Sequence, residues 1–99
     1  MNAIKTKIIA TIGPCTDTYD VLKKLHKAGM NVARINMSHA THKDAQNVID
    51  LVRQINAEQS ADYGPIGLLL DTQGPEIRTG VHQGDIDLKV GDIVNLTIR

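Results

Sequence analysis

The sequence predicts an α/β fold in the order βαβαβ, followed by a short antiparallel β segment. Three observations carry this expectation. Apolar runs of strand length recur three times, amphipathic stretches of helical period separate them, and beyond Gly80 a strict apolar/polar alternation replaces both patterns.

Ile8-Ile9-Ala10-Thr11-Ile12 is a nearly continuous apolar run ended by Gly13-Pro14, the pattern of a strand buried on both faces. Val21, Leu22, Leu25 and Ala28 then recur at helical spacing. Thr16 or Thr18 can cap the start and Gly29 falls where a left-handed C-terminal cap belongs, so the first helix is predicted over roughly residues 17–28. Met30-Asn31-Val32-Ala33-Arg34-Ile35-Asn36 is too short for a helix before the polar break at Ser38-His39, and reads as the second strand with its polar residues at the far end. Thr41 followed by Asp44 resembles a capping box, and Ala45, Val48, Ile49, Val52 and Ile55 hold one helical face behind it. Gly64-Pro65 ends that pattern. Ile66-Gly67-Leu68-Leu69-Leu70 supplies the third strand, which runs into Asp71-Thr72. After Gly80, Ile86, Leu88 and Val90 alternate with Asp85, Asp87 and Lys89, and Val94, Leu96 and Ile98 alternate with Asn95, Thr97 and Arg99. This predicts a half-exposed hairpin turning near Gly91-Asp92. The change of rhythm divides the chain into residues 1–79, of α/β type, and residues 80–99, the opening strands of a second, β-rich domain.

Composition narrows the functional classes. Ninety-nine residues, 41% of them apolar, suffice for one compact unit with a modest core. Eleven basic residues balance eleven acidic ones, which leaves no electrostatic footprint for nucleic acid or an anionic membrane. An anionic ligand must therefore be held by local groups. Cys15 is the single cysteine, so no intramolecular disulfide is expected, and no run approaches the ~20 apolar residues of a membrane helix. A reducing cytoplasm fits these features. Met1-Asn2-Ala3-Ile4-Lys5 has no apolar segment behind it and does not read as a signal peptide. The glycosylation patterns Asn36-Met37-Ser38 and Asn95-Leu96-Thr97 would matter only in a secreted chain.

In folds with parallel strands, ligands gather at the carboxyl ends of the strands, where loops and helix N-termini present unpaired backbone N–H groups. Those ends hold Gly13-Pro14, then Arg34, Asn36, Ser38 and His39, then Asp71-Thr72 with Gly74-Pro75-Glu76-Ile77-Arg78-Thr79-Gly80. Two arginines beside hydroxyls, an amide and a carboxylate suit a phosphorylated ligand, because guanidinium binds phosphate oxygens bidentately. The oxygens of Asn36, Ser38, Asp71 and Thr72 also suit a hard cation. His39 and His42 lie three apart without a third ligand, a weak basis for zinc. Structural readings stand beside these. Asp71 and Ser38 are also ordinary turn and capping residues, Arg34 has a salt bridge to Asp71 open to it, and Arg78 can be a surface residue of the linker. Cys15 reads as a small turn residue, and His26, His42 and His82 as solvated. The glycine-rich dinucleotide fingerprint is absent after the first strand, against a small doubly wound nucleotide-binding domain.

Three segments together resemble the pyruvate kinase family. They are Thr6-Lys7-Ile8-Ile9-Ala10-Thr11-Ile12-Gly13-Pro14, Ala28-Gly29-Met30-Asn31-Val32-Ala33-Arg34-Ile35-Asn36-Met37-Ser38-His39, and Leu70-Asp71-Thr72-Gln73-Gly74-Pro75-Glu76-Ile77-Arg78-Thr79-Gly80. The resemblance implies the first three β/α units of an eight-stranded TIM-type barrel, with a small all-β lid inserted after the third strand. It implies phosphoryl transfer from phosphoenolpyruvate to ADP, giving pyruvate and ATP, with Mg²⁺ and K⁺ as cofactors and a homotetrameric full-length enzyme. By the same resemblance Arg34 holds the transferring phosphoryl group and is the catalytic and substrate-binding residue here. Asn36, Ser38, Asp71 and the backbone carbonyl of Thr72 ligate K⁺, and Asn36, Ser38, His39 and Arg78 lie along the nucleotide. Glu76 is the residue type of K⁺-dependent members. Two departures are visible: Ala40 where glycine is common after Ser-His, and Gln73 where lysine is common before Gly-Pro-Glu. The family's catalytic lysine, acidic Mg²⁺ ligands and threonine near the enol proton belong to later strands.

The expected function is therefore that of an amino-terminal part of a glycolytic kinase, inactive by itself. The alternative is a non-catalytic module that keeps the phosphate-binding rim. Three strands cannot close a barrel of ~250 residues, so uncovered sheet edges, an uncovered apolar face and marginal stability are expected of these residues alone.

Overall fold

A computed structural model describes residues 4–58 and 63–98; Met1, Asn2, Ala3 and Arg99, which entered the leader and hairpin readings, lie outside the described residues. The elements are β1 (Ile9–Ile12), α1 (Tyr19–Ala28), β2 (Val32–Asn36), α2 (His42–Glu58) and β3 (Gly67–Asp71). The strands form one parallel sheet in the order β1-β2-β3. Thr11 is level with Arg34, Arg34 with Leu69, and Asn36 with Asp71.

Because side chains alternate across a strand, this register divides the sheet into two faces. Ala10, Ile12, Ala33 and Ile35 point to the side that carries both helices. There they meet Leu22 of α1 and Ala45, Val48, Val52 and Ile55 of α2, with Met30 and Ile66 closing the same core. Thr11, Arg34, Asn36, Leu69 and Asp71 belong to the other face. Burial on both faces, expected from the apolar runs, is therefore not what the structure shows. Ile9 and Leu69 on the helix-free face remain exposed, as do Leu68 and Leu70, which no helix covers. The runs are apolar on both faces, yet these residues supply helices for only one.

Local signals explain the helix ends. Thr41 and Asp44 form the expected capping box: the Asp44 carboxylate accepts from the Thr41 backbone N–H (2.9 Å) and hydroxyl (2.8 Å), and the Asp44 N–H donates back to the Thr41 hydroxyl oxygen (3.1 Å). At the end of α1, Gly29 adopts φ 121°, its N–H reaches the His26 carbonyl (3.1 Å), and the Met30 N–H reaches the Leu25 carbonyl (2.9 Å). That pair of bonds is a Schellman ending. The start of α1 departs from expectation. Thr18 holds the N-cap position without a side-chain cap bond, and the Thr16 hydroxyl is taken by the turn at Gly13, accepting from its N–H at 2.9 Å.

His26 is a second correction. Expected to be solvated, it is 8% exposed on the inner side of α1, with Nε2 2.7 Å from the Gly64 carbonyl oxygen and its ring 5.7 Å from that of Tyr63. The loop before β3 folds over it, a contact between residues 38 apart that helical periodicity does not encode.

The hairpin is the third correction. Among the described residues, no strand follows Asp71. The turn does form where expected: the Asp92 N–H donates to the Lys89 carbonyl (3.0 Å), the Lys89 N–H to the Asp92 carboxylate (2.8 Å), and Gly91 takes φ 95°. Its arms stay unpaired, and Ile86, Leu88, Val90, Val94 and Leu96 are exposed. A lone two-stranded hairpin is marginal without a third strand or a packed face, and nothing in these residues offers Ile86, Leu88 or Leu96 one.

Candidate functional site

The carboxyl ends of β1, β2 and β3 lie side by side because the sheet is parallel and in sequential order, and the polar residues singled out above converge there. Arg34 occupies the centre, on β2 and on the helix-free face. Its Nε donates to Asp71 Oδ2 at 3.2 Å, its Nη2 pairs with the same oxygen, and its Nη1 donates to Thr11 Oγ1 at 2.9 Å. The salt bridge weighed from sequence is thus present, and it ties β2 to β3. The pair is not sealed, since the side chains of Arg34 and Asp71 are 29% and 48% exposed. A guanidinium held in this way remains reachable by an anionic ligand.

Asn36 opens the loop after β2. Its Oδ1 accepts from the Ser38 N–H (3.1 Å), an Asx turn, while its carbonyl oxygen accepts from the N–H groups of His39 (3.1 Å) and Ala40 (2.9 Å). The Met37 N–H continues the ladder to the Asp71 carbonyl at 3.0 Å. These bonds put Asn36, Ser38 and Asp71 within one corner of the sheet, with Thr72 next in sequence. The Ser38 hydroxyl donates to Glu76 at 3.5 Å, and Glu76 also accepts from Gln73 (3.3 Å) and pairs with Arg78. Glu76 thereby links the segment that carries Arg78 to the loop after β2, a role composition alone did not suggest.

Asn36, Ser38, Asp71 and Thr72 offer the donor types of a hard-cation site. An amide, a hydroxyl, one carboxylate and a backbone carbonyl are all oxygen donors with a single negative charge, which suits K⁺. Among the described residues, no three His, Cys, Asp or Glu side chains cluster as a transition metal would require.

A cavity of about 370 Å³ opens at the ends of β1 and β2, lined by Thr11 of β1, Gly13, Pro14 and Asp17 of the loop after it, Asn36 of β2, His39 of the next loop and Asp44 of α2, with Ile12, Ile35, Ala40 and Val48 as its apolar part. The Thr41 backbone N–H, and after it the Thr41 hydroxyl, holds the Asp44 carboxyl below the usual carboxylate range. Two carboxylates beside an apolar floor make this cavity a poor fit for an anionic group.

Thr11 escaped the sequence reading. The signal was present as a lone hydroxyl in an apolar run, but only the register with Arg34 gives it meaning. No helix among the described residues is long and apolar enough to cross a membrane.

Comparison with known proteins extends the geometry. Residues 3–99 match the family model described as the barrel domain of pyruvate kinase. A pyruvate kinase of Chlamydia muridarum is 45% identical over 95 residues, covering 96% of this chain and 19% of that protein. Plastidial pyruvate kinase 2 of Arabidopsis thaliana is 47% identical, covering 96% of this chain and 16% of that protein. A pyruvate kinase of Hypocrea jecorina is 48% identical, covering 97% and 18%. The chain thus spans under a fifth of the length of these relatives.

Proposed function

This chain belongs to the pyruvate kinase family, and on that premise we propose that it supplies one side of a site that moves a phosphoryl group from phosphoenolpyruvate to ADP. The observation that carries the reading is the placing of Arg34: a guanidinium on β2, two residues before its carboxyl end, held by Asp71 and Thr11 and still accessible. In phosphoryl transfer the P–O bond to the enol oxygen breaks and a P–O bond to the terminal phosphate of ADP forms, leaving an enolate that takes a proton at carbon. Such a reaction asks the protein for positioning and charge stabilisation rather than a nucleophile.

Arg34 would bind the transferring group and counter its charge. Asn36, Ser38, Asp71 and the Thr72 carbonyl would hold K⁺, which supplies a fixed positive charge beside the phosphates. Asn36, Ser38, His39 and Arg78 would lie along the nucleotide, with the cavity beneath His39 taking its uncharged end. Mg²⁺, the proton donor and the catalytic lysine would come from later strands of an eight-stranded barrel. Residues 80–99 would open a lid domain whose remaining strands pair the exposed alternation of Ile86 to Ile98. On the resemblance alone we place the enzyme in the cytoplasm, as a homotetramer in its full-length form.

The test uses the full-length enzyme. Arg34→Lys keeps the charge but removes the planar fork, and kcat/KM for phosphoenolpyruvate should fall by about 100-fold or more. The 99 residues alone should form no ATP from phosphoenolpyruvate and ADP. Turnover by them, or an Arg34→Lys enzyme as fast as the parent, would refute the assignment.

A further inference from the structure

We propose that Thr11 is a positioning residue for Arg34, which it aims at the phosphoryl group; this rests on the phosphoryl-transfer reading above. Guanidinium carries five N–H groups in a rigid plane. Asp71 takes one from Nε and one from Nη2, and Thr11 takes one from Nη1. These contacts leave one N–H on each terminal nitrogen, the pair that can meet two oxygens of one phosphate.

Asp71 alone would not direct that pair. Both of its contacts fall on a single oxygen, Oδ2, about which the guanidinium plane can swing. The Thr11 hydroxyl holds the opposite side from β1, so that Arg34 is braced between both neighbouring strands. The register makes this possible, because Thr11 and Arg34 are level across β1 and β2. Threonine suits the task, being β-branched and stiff at χ1, so its hydroxyl is already placed before substrate arrives. Thr11 also lines the cavity, which sets up the competing role of direct contact with the nucleotide.

The experiment compares Thr11→Val, Thr11→Ser, Arg34→Lys and the double variant Thr11→Val with Arg34→Lys in the full-length enzyme, measuring kcat and KM for each substrate. Thr11→Val should lower kcat/KM for phosphoenolpyruvate about tenfold, with KM for ADP changed less than about twofold, since a swung guanidinium costs orientation and not nucleotide contact. Thr11→Ser should restore most of that loss. In the Arg34→Lys background Thr11→Val should add nothing, because the fork it aims is gone. An equal loss in both backgrounds, a change confined to KM for ADP, or Thr11→Ser no better than Thr11→Val would overturn the proposal. Failure of the unaltered enzyme to make ATP would instead overturn the phosphoryl-transfer reading; a Thr11→Val enzyme at the parent rate would overturn only this inference.

Discussion

Asn56 clamps the entrance to β3, and removing it should loosen the strand that delivers Asp71. From the last turns of α2 its Oδ1 accepts from the Ile66 N–H at 2.8 Å, and its Nδ2 donates to the Ile66 carbonyl at 3.0 Å. Ile66 is 3% exposed and sits one residue before the strand, so its backbone groups have little access to water. Asn56→Ala deletes both partners at once. Each hydrogen bond contributes a net ~1 kcal/mol, and a buried group left unpaired costs ~1–3 kcal/mol, so the loss should be about 2–4 kcal/mol. Native-state hydrogen exchange at the Ile66 amide reads this directly. At ~1.4 kcal/mol per tenfold, protection should fall by about 30-fold or more. Asn56→Asp sharpens the test. At neutral pH its second oxygen would face the Ile66 carbonyl and repel it, whereas the protonated acid can donate, so this variant should recover relative to the parent as pH falls. Protection within about threefold of the parent in Asn56→Ala would show that the clamp does not hold β3.

Burial makes a second expectation. Leu22 is fully buried between the sheet and α2, so Leu22→Ala should cost about 3 kcal/mol in urea unfolding, while Leu96→Ala, at a residue 87% exposed, should cost less than ~0.5 kcal/mol. The capping box supplies a pH dependence. Folding holds the Asp44 carboxyl below its ordinary 3.8, so its contribution is present above that pH and is lost as pH falls through the folded value. The Asp44 carboxyl followed by NMR should titrate below 3.8, and Thr41→Val, which keeps the backbone bond but not the hydroxyl, should return it part of the way upward.

Signals within a few residues of one another survived the passage from sequence to structure. Gly29 ends α1 because only a residue without Cβ enters the left-handed region cheaply, and that holds whatever packs nearby. Thr41 and Asp44 are three apart and bond within a single turn. The period of Val48, Val52 and Ile55 fixes which side of α2 is apolar, and the structure buries that side. The site was legible to the same degree. Asn36 and Asp71 end their strands, with Arg34 two residues before Asn36, and parallel pairing brings the strand ends together.

Contacts between distant segments were not legible. The bond between Thr11 and Arg34 spans 23 residues and that of His26 with Gly64 spans 38, whereas the pairing of Arg34 with Asp71, across 37, was open to a sequence reading only because a buried charge in a strand asks for a partner. A hydroxyl, a carboxylate or an imidazole has the same local pattern whether it faces water or a partner. The alternation of Ile86 to Ile98 shows the complementary case, since a strand signal specifies a side-chain period but a strand exists only once another backbone takes up its hydrogen bonds. By itself, therefore, the amino-acid sequence determined the βαβαβ order, the end of α1, the start of α2, the side of the sheet at which the candidate site residues gather and the family. The tertiary structure alone decided which sheet face is covered, how Arg34 is braced and why His26 is buried, because each depends on groups brought together by the sheet register and the loop before β3 rather than by distance along the chain.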